Sequence, residues 1–231
     1  MFNRKKPAPN SKMRHLITKL NPRSPISEQY RTIRTNLQFS SVDEPLHSIL
    51  ITSAGAAAGK SITAANLAVV YAQQEKRTLL IDADLRKPTV HYTFRLDNLR
   101  GLSNVLIGDS TLEGAISKSD VDHLDILSCG PIPPNPSELL ASKRMEEVLK
   151  HAKQLYDFVI FDTPPALAVT DAKILANIVD GSLVVVRSGN TNMEEAERTV
   201  EIMRDSKARL LGAVLNDRTK DNSNYYYYYG A

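Results

Sequence analysis

Six short runs of aliphatic and β-branched residues recur along the chain, at 48–53 (SILITS), 78–82 (TLLID), 123–128 (HLDILS), 157–162 (DFVIFD), 182–187 (SLVVVR) and 209–216 (RLLGAVLN). Most are apolar at consecutive rather than alternate positions, which is the pattern of strands buried on both faces. Amphipathic stretches long enough for helices lie at 60–75, 137–155, 171–179 and 192–206. Strands that alternate with helices predict an α/β fold of three layers, a mostly parallel central sheet with helices on both faces. Ligands of such sheets bind at the carboxyl ends of the strands. Ahead of the first strand, Ser24-Pro25 reads as an N-cap followed by proline at the first helical position. Tyr30, Ile33 and Leu37 then recur at helical spacing, so 25–40 carries one apolar face.

The 231 residues suit one domain with tails. Residues 1–23 hold three of the 12 prolines and read as a basic flexible arm, 24–218 as the folded domain, and 219–231 as a disordered tail. The net charge of +3 is uneven: residues 1–34 carry nine Lys/Arg against one acid, Glu28, so the rest of the chain is acidic. A basic arm suits anionic lipid or an acidic partner, or is simply a solvated leader. The acidic remainder and the lack of a recognition module exclude nucleic acid as the expected partner. No apolar run approaches the roughly 18 residues of a membrane span, and the start, MFNRKKPAPN, lacks the apolar stretch of a signal peptide. A single cysteine, Cys129, fits a reducing cytoplasm.

Between the first strand and the first long helix stands Ala54-Gly55-Ala56-Ala57-Ala58-Gly59-Lys60-Ser61, continuing into Ile62. A turn that ends in Gly-Lys-Ser in this setting is a phosphate-binding P-loop, and it makes the fold a P-loop NTPase. The backbone N–H groups of residues 55–62 would converge on the phosphates of ATP, with the helix N-terminus adding a favourable dipole. Lys60 would bridge the β- and γ-phosphates, and the Ser61 hydroxyl would coordinate Mg²⁺. The first glycine of the usual pattern is replaced by Ala54, and alanine resists positive φ. The loop is therefore expected to be stiffer, or to hold ATP less well, than a glycine-rich one.

Two strands end in acids. Asp162 closes the run 157–162, and Asp82 and Asp84 end or follow 78–82, with Arg86 beside them. Carboxylates at the ends of buried strands are costly unless they meet a cation, and Mg²⁺ with its waters supplies one. Asp162 reads as the Walker B ligand, acting through water. Asp82 and Asp84 lie at i and i+2 and would face one side of a continuing strand. One would hold Mg²⁺ water and the other would accept a proton from an incoming hydroxyl. A structural Asp–Arg turn is the plainer reading of the pair. Asn216, at the end of the last run, is placed to bond the adenine edge, or to cap its strand.

With these residues in hand, the sequence resembles the bacterial tyrosine kinases, a P-loop family unrelated to eukaryotic kinases. The resemblance rests on the P-loop, DADLRKP (82–88) and FDTPP (161–165) in that order, and extends to SEQYRTIRTN (27–36), GLSNVL (101–106), GPIPPNPSELL (130–140) and the terminal tyrosines. It implies an ATP- and Mg²⁺-dependent protein-tyrosine kinase with Asp82 as base, Asp84 and Asp162 supporting Mg²⁺, and Arg86 helping the phosphate site. The family's loop tends to carry Gly or Pro where Ala56 and Ala57 stand. Glu28, Arg31 and Arg34 match the family's self-assembly motif, which implies a ring-like homo-oligomer, with an octamer as the candidate size. Charged helix faces of this kind are otherwise solvated, with pairs worth a few tenths of a kcal/mol. Implied partners are a membrane activator that holds the chain at the inner face of the membrane, protein tyrosine substrates and a cognate phosphatase, in capsule or exopolysaccharide production.

Tyr225, Tyr226, Tyr227, Tyr228 and Tyr229 form an unbroken run with neither strand nor helix period. Beside kinase motifs they read as phosphate acceptors. Arg218 to Tyr225 spans roughly 23–25 Å when extended, enough to reach a neighbouring subunit. Two other functions remain open at this point: a MinD- or ParA-like ATPase switch, and an ATP-binding scaffold of polysaccharide export. The first carries an extra lysine early in the P-loop, where this chain has Gly55. Eukaryotic-type kinases are excluded, because no GxGxxG, HRD or DFG occurs.

Overall fold

A computed structural model describes residues 16–40 and 45–218. The tyrosine cluster at 225–229 and the basic residues before 16 lie outside the described residues. Seven strands form one sheet: β1 (Ser48–Ser53), β2 (Thr78–Asp82), β3 (Ser117–Lys118), β4 (Leu124–Leu127), β5 (Phe158–Asp162), β6 (Gly181–Arg187) and β7 (Arg209–Asn216). Their order across the sheet is β3-β4-β2-β5-β1-β6-β7. Every pairing is parallel except β3 with β4. The expected three-layer α/β architecture is therefore what the chain forms.

Alternation along the strands decides which residue faces which layer. Leu50, Leu79, Ile81, Val159, Phe161 and Val184 point into a core covered by α5 (Leu102–Ile107), α7 (Pro136–Leu140), α8 (Lys143–Leu155), α9 (Asp171–Leu175) and α10 (Met193–Arg204). Ile49, Ile51, Leu80, Ile160, Leu183 and Val185 point to the opposite core, under α1 (Ile17–Leu20), α2 (Pro25–Phe39), α3 (Lys60–Ala72) and α4 (Val90–Phe94). The α3 helix is buried nearly all round, because α2 covers the side turned from the sheet. α2 starts as its sequence indicates: the Ser24 side chain accepts from the Ser27 amide at 3.1 Å, and Pro25 follows at the first helical position.

The structure departs from the sequence-based expectation in several places. Residues 16–23 do not behave as part of a detached arm. Leu16 and Thr18 are buried, and the Thr18 amide and hydroxyl both donate to Asn66 Oδ1 of α3, at 3.0 and 2.8 Å. The stretch 137–155 is two helices, because Ser142 caps α8 by accepting from the Met145 amide at 3.3 Å. The helix expected over 171–179 stops at Leu175. α4, α5, α6 (Leu112–Ala115) and β3 had not been anticipated at all.

Candidate functional site: a phosphate loop and two acid-tipped strands

The ends of β1, β2 and β5 meet because these strands are neighbours in the sheet. Asp82 and Asp162 are register partners across β2 and β5. The loop 54–59 leaves β1 and delivers Lys60 as the first residue of α3. Two residues in the loop adopt positive φ, Gly59 at 96° and Ala57 at 61°. Gly59 suits its place because a Cβ would be strained at this φ and would displace the Asn216 side chain, whose Nδ2 would lie 2.0 Å away. Ala57 is the strained one. For a residue with a Cβ the left-handed region costs about 1–2 kcal/mol, so the cost of the alanine-rich loop falls at Ala57 and not at Ala54.

The Lys60 ammonium lies 3.2 Å from Ser61 Oγ, 3.2 Å from Asp84 Oδ2 and 3.4 Å from Asp162 Oδ1. Burial alone would lower its pKa, but the charges of Asp162 and Asp84 raise it above the ordinary lysine value. Lys60 thus stays charged and serves as counter-ion to both acids. Asp162 is completely buried, and burial raises its pKa while Lys60 opposes that rise. Its second oxygen, Oδ2, has no hydrogen-bond partner. A buried acceptor in that condition is costly and marks a place for a cation or ordered water.

The groups gathered at Lys60 are the three expected to hold magnesium: a hydroxyl and two carboxylates, all hard oxygen donors. No group of three or more His, Cys, Asp or Glu side chains that could hold a metal by itself exists among the described residues. Magnesium keeps waters and takes phosphate oxygens, so it needs few protein donors. Ser61, Asp84 and the orphaned Asp162 oxygen therefore fit the ion.

Asp82 sits beside this cluster but is engaged elsewhere. Its Oδ2 accepts from the Thr89 and Val90 amides at 2.8 and 2.9 Å, and its Oδ1 accepts more weakly from the Asp84 amide at 3.3 Å. Burial, followed by the charge of Asp162, pushes its carboxyl up to about 7. Arg86 is not brought to the phosphate loop contacts at all. Its Nε and Nη2 pair with the two oxygens of fully buried Asp171, at 2.9 and 3.0 Å, and Nη2 also reaches Ser137 Oγ at 2.8 Å. Asp171 and Ser137 had not been singled out from the sequence. An acid in the first turn of a helix reads as ordinary dipole compensation, and nothing local couples it to an arginine 85 residues away.

Asn216 reaches the loop from the far side, donating from Nδ2 to the Ala58 carbonyl at 2.9 Å. Glu28 and Arg31 pair with each other on α2, and Arg31 also donates to the Pro22 carbonyl at 2.6 Å. Arg34 turns inward and donates to the Val70 carbonyl of α3 at 2.8 Å. Arg34 is thus anchored within its own chain, while Glu28 and Arg31 pair along α2.

Known proteins are similar to this chain in sequence and fold. A family model described as an AAA domain matches residues 47–212. The tyrosine-protein kinase YwqD of Bacillus subtilis is 54% identical over 217 residues, which cover 94% of this chain and 92% of that protein. The putative tyrosine-protein kinase CapB of Staphylococcus aureus is 45% identical over 210 residues, 90% of this chain and 92% of that one. Among solved structures, the kinase domain of Escherichia coli tyrosine kinase ETK superimposes with a TM-score of 0.85 at 35% identity, covering 92% of this chain and 85% of that one.

Proposed function

The chain belongs to the bacterial tyrosine-protein kinases, and from that premise we propose that it moves the γ-phosphoryl group of ATP onto the tyrosines 225–229 of a second copy of itself. The observation that carries this reading is the Lys60 ammonium held among Ser61, Asp84 and Asp162 at the N-terminus of α3. A charged lysine, a hydroxyl and two acids at one helix terminus are the parts that phosphoryl transfer needs.

In this proposal the loop amides and Lys60 bind the phosphates, and Lys60 exchanges its two carboxylate partners for phosphate oxygens. Magnesium, when bound, would neutralise charge on the β- and γ-phosphates. Ser61, Asp84 and Asp162 are the residues that would hold it. Asp82 is the group we assign to take the tyrosine proton. Burial raises its pKa to about 7, which narrows the gap to a tyrosine of about 10 without closing it. Abstraction before transfer is therefore still uphill, so the proton leaves late, and positioning supplies most of the acceleration. The bidentate pair with Asp171 makes Arg86 a positioning residue that fixes the 84–88 turn. The Asn216 side chain keeps Oδ1 free to accept from the adenine amino group, since its Nδ2 must face the Ala58 carbonyl.

The wider setting is also proposed: a ring-like homo-oligomer assembled through the α2 charges, a membrane activator that recruits the chain to the inner membrane face, a cognate phosphatase, and a role in capsule or exopolysaccharide production. The name of the Staphylococcus relative, CapB, supports the capsule role, and the tyrosine run supports a phosphatase partner. Among the described residues no helix is long and apolar enough to cross a membrane.

Incubation with γ-labelled ATP and Mg²⁺, with and without the cytoplasmic segment of the activator, tests the reading. Label on the 225–229 peptide is expected. Release of inorganic phosphate alone would indicate an ATPase switch, and bound ATP with neither product would indicate a scaffold.

A further inference from the structure

The back of the phosphate loop is held by side chains that no phosphate contact requires. Arg187, the last residue of β6, donates from Nη1 to the Ala57 carbonyl at 3.3 Å. Its Nε pairs with Asp217 Oδ2 at 2.8 Å. Asn216, the last residue of β7, donates to the next carbonyl, Ala58. Asp217 itself has φ 56°, a left-handed turn immediately after β7 that returns its carboxylate towards Arg187. The Ser188 amide donates to the Asn216 carbonyl at 2.9 Å, which ties the two strand ends together.

These contacts fall on the two consecutive residues where the loop is under strain or tightly packed: Ala57 has positive φ and Ala58 is buried. A peptide unit directs its C=O and its N–H to opposite sides. Donors that capture the 57 and 58 carbonyls on the β6–β7 side therefore hold the amides of 58 and 59 towards the opposite side, where α3 begins. An alanine at 57 would otherwise relax out of the left-handed region, and the amide row would turn with it. We infer that Arg187, itself oriented by Asp217, is a positioning residue that holds the strained Ala57 in its phosphate-binding conformation. Together with Asn216 it forms a strut across the ends of β6 and β7. The inference rests on the nucleotide-binding reading of the loop and deepens it, because it explains how an alanine-rich loop keeps the geometry that glycine normally permits.

The test is a double-mutant cycle between Arg187→Ala and Ala57→Gly on the full chain, with ADP and Mg²⁺ as the probe and affinity read by calorimetry. In the native background Arg187→Ala should weaken ADP about tenfold, the equilibrium equivalent of the left-handed cost at alanine. Steady-state turnover should show the ATP KM rising by a similar factor, with kcat within about twofold. In the Ala57→Gly background that conformation is nearly free, so Arg187→Ala should then cost no more than about threefold. Equal losses in both backgrounds would mean that Arg187 acts on the nucleotide itself, and no loss in the native background would mean that the strut is idle. Either result overturns the proposal. Amide hydrogen exchange of residues 55–61 in nucleotide-free protein separates this from failure of the nucleotide reading. Arg187→Ala should speed exchange there even if ADP does not bind, and unchanged exchange would refute the strut.

Discussion

At the residue scale the site is built around one buried lysine that contacts two acids. Removing one partner of a buried charge pair costs about 3 kcal/mol or more, because the remaining charge is left uncompensated. Lys60→Met should therefore lower the denaturant midpoint of the metal-free chain at pH 8, and added Mg²⁺ should restore part of the loss by replacing the missing cation. Denaturation with and without Mg²⁺ checks this. Asp82 gives a prediction of opposite sign. Its folded pKa, about 7, is above that of an exposed carboxylate, so the folded state holds this proton more tightly than the unfolded state. The contribution to stability is complete below about pH 4 and is lost as pH rises towards 7. Asp82→Asn removes that loss while keeping an oxygen for the Thr89 and Val90 amides. It should stabilise the metal-free protein at pH 8 by on the order of 2 kcal/mol, with the advantage shrinking near pH 5. Thermal unfolding across that range measures it. Lys60, Ser61, Asp84 and Asp162 were legible in the sequence because motif and strand ends mark them. The commitment of Asp82 to the Thr89 and Val90 amides was not legible, because those donors lie seven and eight residues on, at the start of a helix the sequence pattern does not mark.

At the scale of elements, what could be read depended on length. β1, β2 and β7 match their sequence runs to the residue, since consecutive apolar positions bounded by polar ones leave little freedom. α1, α4 and α6 span four or five residues each, too few to show a 3.6-residue period, and β3 has two. Such elements exist because the tertiary structure partners them. Thr18 of α1 donates to Asn66, and Thr18→Val should cost about 1–2 kcal/mol by removing one of these bonds and leaving part of the buried Asn66 oxygen's capacity unmet. Denaturant unfolding would register it. Arg86 links the turn after β2 to α7 and α9 through Ser137 and Asp171. Arg86→Met strands the fully buried Asp171 charge and should destabilise the fold by about 3 kcal/mol. Arg86→Met with Asp171→Asn should recover most of that. If the double variant folds well and still loses all transfer, Arg86 has a role at the phosphates that its position here does not provide.

At the scale of the whole molecule, the doubly covered sheet brings three strand ends to one point, and the chain leaves the sheet after β7 from that same end, at Asp217 and Arg218. A tail that starts beside the phosphate loop, with tyrosines roughly 23–25 Å of extended chain further on, can serve a neighbour's site as readily as its own. Each phosphate adds about −1.5 to −2 charge, so a modified tail should be repelled by the acidic domain and loosen the proposed homo-oligomer. Sedimentation before and after phosphorylation would show smaller species if this holds, and unchanged species if it does not. The most direct measurement mixes two chains: one with an intact tail and Lys60→Met, the other active but lacking 225–229, with γ-labelled ATP, Mg²⁺ and the activator segment. Label on the tail of the Lys60→Met chain is the expected result. A tail that stays unlabelled there, while the native chain labels its own under the same conditions, would contradict transfer between copies.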